Sequence, residues 1–139
     1  MAISTVMCTS YKKEALEGVH LAADVYKIAL YTNAATLDAT TTAYSATNEV
    51  ASGGGYTTGG MTLTGFAASV DGTAGIVDFA DAVWAAATIT ARGALIYNSS
   101  RSNKAVAVFD FGADITSTGG NFTVTMPAPA AATAVIRIA

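Results

Sequence analysis

Residues 90–112 read TARGALIYNSSRSNKAVAVFDFG. Two apolar runs, Thr88–Tyr97 and Lys104–Phe111, flank the polar stretch Asn98-Ser99-Ser100-Arg101-Ser102-Asn103. Runs rich in Val, Ile and aromatics around a short polar segment predict an antiparallel hairpin. Within Ala105–Phe111 both faces are apolar: Ala105, Ala107, Phe109 and Phe111 on one side, Val106 and Val108 on the other. A strand with one wet face alternates apolar and polar, whereas a strand covered twice does not. The pattern therefore predicts a central strand with a layer on each side. The run ends in Asp110-Phe111-Gly112, a triplet that in kinases holds magnesium. The glycine-rich phosphate loop, strand lysine and His-Arg-Asp loop that accompany it there are missing here. We read the triplet as a strand end, with Gly112 opening a turn.

The neighbouring segments extend the same pattern. Met61–Val70 and Ala74–Ala80 flank Asp71-Gly72, a hairpin turn signal. Lys27–Thr32 is apolar on both faces, and Asn121–Met126 alternates with Phe122, Val124 and Met126 inward. Pro127 and Pro129 punctuate a turn before a last strand at Ala134–Ile138. Near the N-terminus, Ser10 is placed to cap a short helix with Tyr11, Ala15 and Val19 on one face and Leu16 beside them. Residues 33–59 form a long polar connection, too long to be empty in a compact domain, with Tyr44, Val50 and Tyr56 available to pin it. About seven or eight short strands at this spacing predict an all-β fold, a single β-sandwich or small barrel with one short N-terminal helix. One domain spans 1–139, with an N-terminal segment and helix at 1–24 and an arm-like connection at 33–60.

Composition narrows the function classes. The 139 residues are 52% hydrophobic, but 30 of them are Ala, and Leu, Ile, Val and Phe together also number 30. That is a thin core, of the kind completed by neighbouring subunits. Only 12% of residues are charged and the net charge is −3. Lys12-Lys13 is the longest basic run, so a phosphate-tracking groove, and with it nucleic-acid binding, is not expected. No apolar run approaches the roughly 18–20 residues of a membrane span, and the N-terminus lacks signal-peptide organisation. Cys8 is the single cysteine and His20 the single histidine, which excludes internal disulfides and the usual zinc sets. Asn98-Ser99-Ser100 and Asn121-Phe122-Thr123 fit the glycosylation pattern but read as turn and strand-edge polar residues.

Asp78 with Asp81 and Asp110 with Asp114 would bind calcium only if the fold brought all four together; otherwise they accept hydrogen bonds in turns. His20 has no serine in a Gly-x-Ser-x-Gly elbow to serve. Gly53-Gly54-Gly55, Gly59-Gly60 and Gly119-Gly120 precede strand sequences and not helices, so they are loops and not phosphate cradles. Trp84 reads as core, with an interface anchor as the alternative. Arg137, in the terminal strand, must reach solvent or a carboxylate. The expectation is no enzyme, with no catalytic, cofactor-binding or metal residue.

The stretches YKIALYTNAATLDATTTAYSATNEV (26–50), GGGYTTGGMTLTG (53–65), TARGALIYNSSRSNKAVAVFDFG (90–112) and NFTVTMPAPAAATAVIRIA (121–139) resemble a family of small virion structural proteins of tailed bacteriophages and their prophages. The resemblance implies a component made in the host cytoplasm and present in many copies on the particle. Its first reading is a capsid decoration, or cement, protein on the shell exterior. Its partners would be the major capsid protein and itself, as a homo-oligomer such as a trimer. The N-terminal segment (1–9), the 33–60 connection and the turn 98–103 are the expected contact regions. The alternatives are a tail or head–tail connector component, or a carbohydrate-binding sandwich on a fibre using Tyr44, Tyr56 and Trp84.

Overall fold

The computed structural model describes residues 2–138; Met1 and Ala139, which end the segments read above, lie outside them. The chain runs β1 (Val6–Met7), α1 (Thr9–Leu16), β2 (Tyr26–Tyr31), β3 (Met61–Thr62), β4 (Ala67–Asp71), β5 (Ala74–Asp78), β6 (Ala82–Asn98), β7 (Lys104–Val124) and β8 (Ile136–Ile138). A five-stranded sheet has the order β1-β7-β6-β2-β3, and a three-stranded sheet the order β4-β5-β8. All these pairings are antiparallel. Both sheets are open-ended, so the all-β fold is a sandwich and not a barrel.

The register explains the layers. Ile28 pairs with Ile96, which pairs with Ala107; Leu30 pairs with Ala94, which pairs with Phe109. Residues directly opposite share a face, and so do residues two apart. Tyr26, Ile28, Leu30, Ile96 and Phe109 therefore line one face of the large sheet. Tyr26 there meets Phe66 and Phe79, both at 5.5 Å between ring centroids, at the side of the small sheet. Tyr31, Leu95, Tyr97, Val106 and Val108 line the opposite face. Tyr44 stacks on Tyr97 at 4.6 Å there, and the Ile3 side chain sits where a Cβ on Gly93 would stand. The large sheet is thus covered by the small sheet on one face, and by the connection after β2 with the N-terminal segment on the other. Residues 105–109 are buried throughout, as a doubly covered strand requires.

The 33–60 connection, expected as an arm, is folded onto its own sheet. Ala35, Leu37 and Tyr56 are buried. The first residues are strapped to it as well: Ser4 N–H donates to Leu37 O and Leu37 N–H to Ala2 O, each at 3.0 Å. Tyr56 Oη accepts the Leu30 N–H at 2.9 Å, satisfying a backbone donor in the core.

Several boundaries differ from the sequence reading. Helix α1 starts at Thr9, with Cys8 at the N-cap position and no side-chain cap; Ser10 Oγ is buried without a partner. Leu16, expected beside the apolar face, is 85% exposed. The expected strand 61–70 is divided between β3, in the large sheet, and β4, in the small one. The runs read as separate strands at 104–111 and 121–126 fall on the single strand β7, which stays paired with β6 up to Val124 and leaves Thr125 and Met126 beyond its end. Gly112, expected to open a turn, instead lies in a bulge: Ala91 faces Ile115, yet Gly93 faces Asp110. Three extra residues on β7 are accommodated there, with Gly112 at φ 81°.

Gly60 shows how tightly the connection lies on β2. Its φ is 79°, and a Cβ there would overlap the Ile28 carbonyl. Gly60→Ala is expected to cost about 4 kcal/mol or abolish folding, whereas Gly72→Ala, with open space around it, costs about 1 kcal/mol. Chemical denaturation of the two variants measures the difference.

Candidate interaction surfaces

Of the carboxylates singled out for chemistry, Asp81, Asp110 and Asp114 are engaged in structural roles. Asp110 Oδ1 accepts from Arg92 Nε at 3.2 Å and from Gly112 N–H at 2.8 Å, closing the bulge. Asp114 accepts from Asn33 Nδ2 at 3.0 Å, and Asp81 from the Met126 N–H at 2.7 Å. Asp78 Oδ1 is buried without a partner. The fold does not bring the four carboxylates together: among the described residues no group of three or more His, Cys, Asp or Glu could hold a metal ion. Cys8 is fully buried, and burial, followed by the charges of Asp38 and Glu14, pushes its thiol up to about 12.

A polar knot ties the β6–β7 turn to the chain between α1 and β2. Asn98, the one fully buried polar residue among those described, accepts the Ser100 N–H on Oδ1 at 3.0 Å. Its Nδ2 therefore faces both Asp24 Oδ2, at 2.9 Å, and His20 Nδ1, at 3.0 Å. An amide nitrogen only donates, so His20 Nδ1 is the acceptor and its proton sits on Nε2. Nε2 donates to Glu14 Oε1 at 2.9 Å, and Lys104 Nζ lies 3.7 Å from Glu14 Oε2. Arg101 grips Asp24 with two bonds, Nε to Oδ2 at 2.9 Å and Nη2 to Oδ1 at 3.1 Å. The Arg101 bonds, joined by those of Asn98 and the Leu21 N–H, hold the Asp24 carboxyl well below the usual carboxylate range despite its burial. The turn 98–103 is thus anchored from within, and Asn98 is closed to glycosylation.

The aromatic residues suggested as a sugar platform lie inward. Trp84 and Tyr56 are buried, 5.9 Å apart, with Phe122 beyond Trp84 at 6.2 Å. Tyr44 and Tyr56 both donate to Glu49, at 2.6 and 2.5 Å. Glu49 also accepts the Gly59 N–H at 2.7 Å. Sequence reading missed Glu49, because its three partners come from separate turns of one long polar segment.

Among the described residues, two open surfaces combine exposed apolar side chains with little charge. The first is the outer edge of β7. Strand β1 pairs only with Val108 and Ala107, so beyond the bulge β7 has β6 on one side alone. Residues 112–121 are exposed there apart from half-buried Ser117, and Asp114 is the single charged residue among them. The second is the end of the sandwich where α1, β1 and β8 meet, with Leu16 and Ile138 exposed.

Comparison with protein-family models, curated proteins and solved structures gives no match.

The Cys8 environment predicts no reaction with Ellman's reagent at pH 8 in the native state and one equivalent after unfolding, read by absorbance. The Asp24 pair predicts acid sensitivity. A carboxyl held below its unfolded value of about 3.9 adds stability above that pH, which is lost as pH falls towards the folded value. Melting temperature should therefore fall below about pH 4. Asp24→Asn should lower stability at pH 7 by about 2 kcal/mol and flatten part of that acid slope, as thermal melts across pH 2–7 would read.

Proposed function

We propose that this chain is a structural component of tailed-bacteriophage particles, a decoration or cement protein on the capsid exterior. In this reading it is made in the host cytoplasm, associates with itself, and bridges neighbouring major capsid subunits. The resemblance of residues 26–50, 53–65, 90–112 and 121–139 motivates the reading. The observation that carries it is the outer edge of β7.

An exposed strand edge offers a row of unpaired N–H and C=O groups, a template for another chain. Soluble proteins usually blunt such an edge with lysines, proline or inward charges. Residues 112–121 have one aspartate, already bonded to Asn33, and otherwise Gly, Ala, Ser, Thr, Ile and Asn. Little charge has to be desolvated when this edge pairs. A protein that binds assembled subunits and not free ones stabilises the assembly by mass action, which is what a cement protein does. Catalysis has no place in this reading: the thiol and the imidazole are both shut away from solvent. Nor does sugar binding, since Trp84 and Tyr56 present no open ring face.

Quantitative gels of separated heads and tails test the location. Capsid-like copy number in heads, with shells that break at lower temperature once the protein is removed, is the expected result. Low copy number with tails would replace this reading by the tail or connector one. Ile115→Lys with Thr118→Lys is expected to weaken attachment to empty shells at least about tenfold with the melting temperature unchanged.

A further inference from the structure

We propose that the Gly53–Gly55 turn is an edge plug: it occupies the outer edge of β6, so that a strand of another chain can join the ribbon only at β7. This rests on the reading of the β7 edge as a pairing surface and not on the capsid.

The ribbon that β6 and β7 form beyond Gly93 has two long edges. Ser117 Oγ donates to Ala87 O at 2.8 Å and accepts the Ile89 N–H at 3.3 Å, so these backbone groups of Ala87 and Ile89 face β7. Alternation along the strand then turns the N–H and C=O of Thr88 the other way, to the outer edge of β6. There the Thr88 N–H donates to Gly54 O at 2.7 Å. The flanking stretches of the same edge are closed by other means. Strand β2 covers β6 from Gly93 onwards. On the other side the bulge between Trp84 and Ala87, with Ala86 at φ 48°, interrupts the ladder. Thr88 stands between these two, and covering it leaves only residues 89–92 of the edge between the plug and β2.

The turn is built for this approach. Gly53 and Tyr56 exchange backbone bonds, Gly53 N–H to Tyr56 O at 2.9 Å and Tyr56 N–H to Gly53 O at 3.1 Å, which makes Gly54-Gly55 a two-residue hairpin loop. Both loop residues have positive φ, 59° and 91°, as the tightest hairpin turns require. A Cβ at Gly54 would stand 2.5 Å from Thr88 O, and one at Gly55 3.1 Å from the Ala87 Cα and Cβ. The turn and the contact with β6 both select glycine. Beneath the turn the stem is held twice. Ser52 Oγ accepts the Thr58 N–H at 2.9 Å, and Tyr56 is buried, 5.9 Å from Trp84 of β6. A ribbon with both edges open would let the β7 edge of one copy pair with the β6 edge of the next, a head-to-tail contact that repeats without closing. With β6 plugged, strand addition stops at one partner for each ribbon.

Gly54→Ala tests this. Its methyl group meets Thr88 O and lifts the turn, so exchange of the Thr88 amide hydrogen is expected to quicken at least about tenfold. Light scattering should then show concentration-dependent oligomers larger than those of the native chain. Gly72→Ala, also at positive φ but with open space around it, is the control and should keep the native size. Circular dichroism checks that both variants are folded. Adding Ile115→Lys and Thr118→Lys to Gly54→Ala should abolish the growth, because head-to-tail stacking needs the β7 edge as well. Growth that survives the two lysines uses some other surface and would overturn the plug. A folded Gly54→Ala chain that exchanges fast at Thr88 yet keeps the native size would overturn it too, and so would fast exchange at Thr88 in the native chain. Attachment to empty shells left unchanged by the two lysines alone bears on the β7 reading, and the Thr88 exchange test of the plug still stands.

Discussion

The structure depends on one constraint: strands β2, β6 and β7 are apolar on both faces where they meet, so their sheet needs two covers. Leaving either face wet would expose side chains whose burial stabilises the fold by roughly 1.5–3 kcal/mol each. The small sheet covers one face and the connection after β2 the other. That is why a segment so rich in Thr, Ala and Gly is ordered at all. Its few large side chains, Leu37, Tyr44 and Tyr56, are spent on the sheet, and stacking such as Tyr44 on Tyr97 adds roughly 0.5–1.5 kcal/mol per pair. Glu49 then gathers two tyrosine hydroxyls and a backbone N–H, so the polar groups carried inward keep their partners.

The same hairpin serves two purposes along its length. Near the turn 98–103 it is core, buried on both faces. Beyond Gly93 and Asp110 it continues as a two-stranded ribbon, with Trp84, Ala87 and Ile89 inward and Val83, Thr88 and Thr90 outward. The bulge at Gly112, held by Asp110 and Arg92, separates the two regimes and lets the strand change course without breaking its pairing. A ribbon with one free edge and hardly any charge is a structural device suited to contact. The functional reading follows from that surface more than from any pocket.

Groups with chemical potential are drawn into the architecture. His20 bridges Glu14 and Asn98; Asp24 clamps Arg101; Cys8 sits in the core. The His20–Asn98 and Asp24–Arg101 contacts close seams between elements far apart in the chain. The polar knot in particular fastens the segment after α1 to a turn more than seventy residues later.

What the sequence determined by itself is local and periodic. The two-faced run Ala105–Phe109, the Asp-Gly hairpin between β4 and β5 and the terminal strand ending at Ile138 are legible because side-chain alternation reports how many faces are buried. The tertiary structure decided the rest. Residues 113–120 lie between the two strands expected at 104–111 and 121–126, and Gly112 and Gly119-Gly120 break the alternation there; pairing with β6 makes them strand. The docking of 33–60, the division of 61–70 between two sheets and the Asp24–Arg101 clamp all depend on partners distant in sequence. Periodicity records whether a residue is covered, while the partner that covers it is chosen only when the sheets assemble.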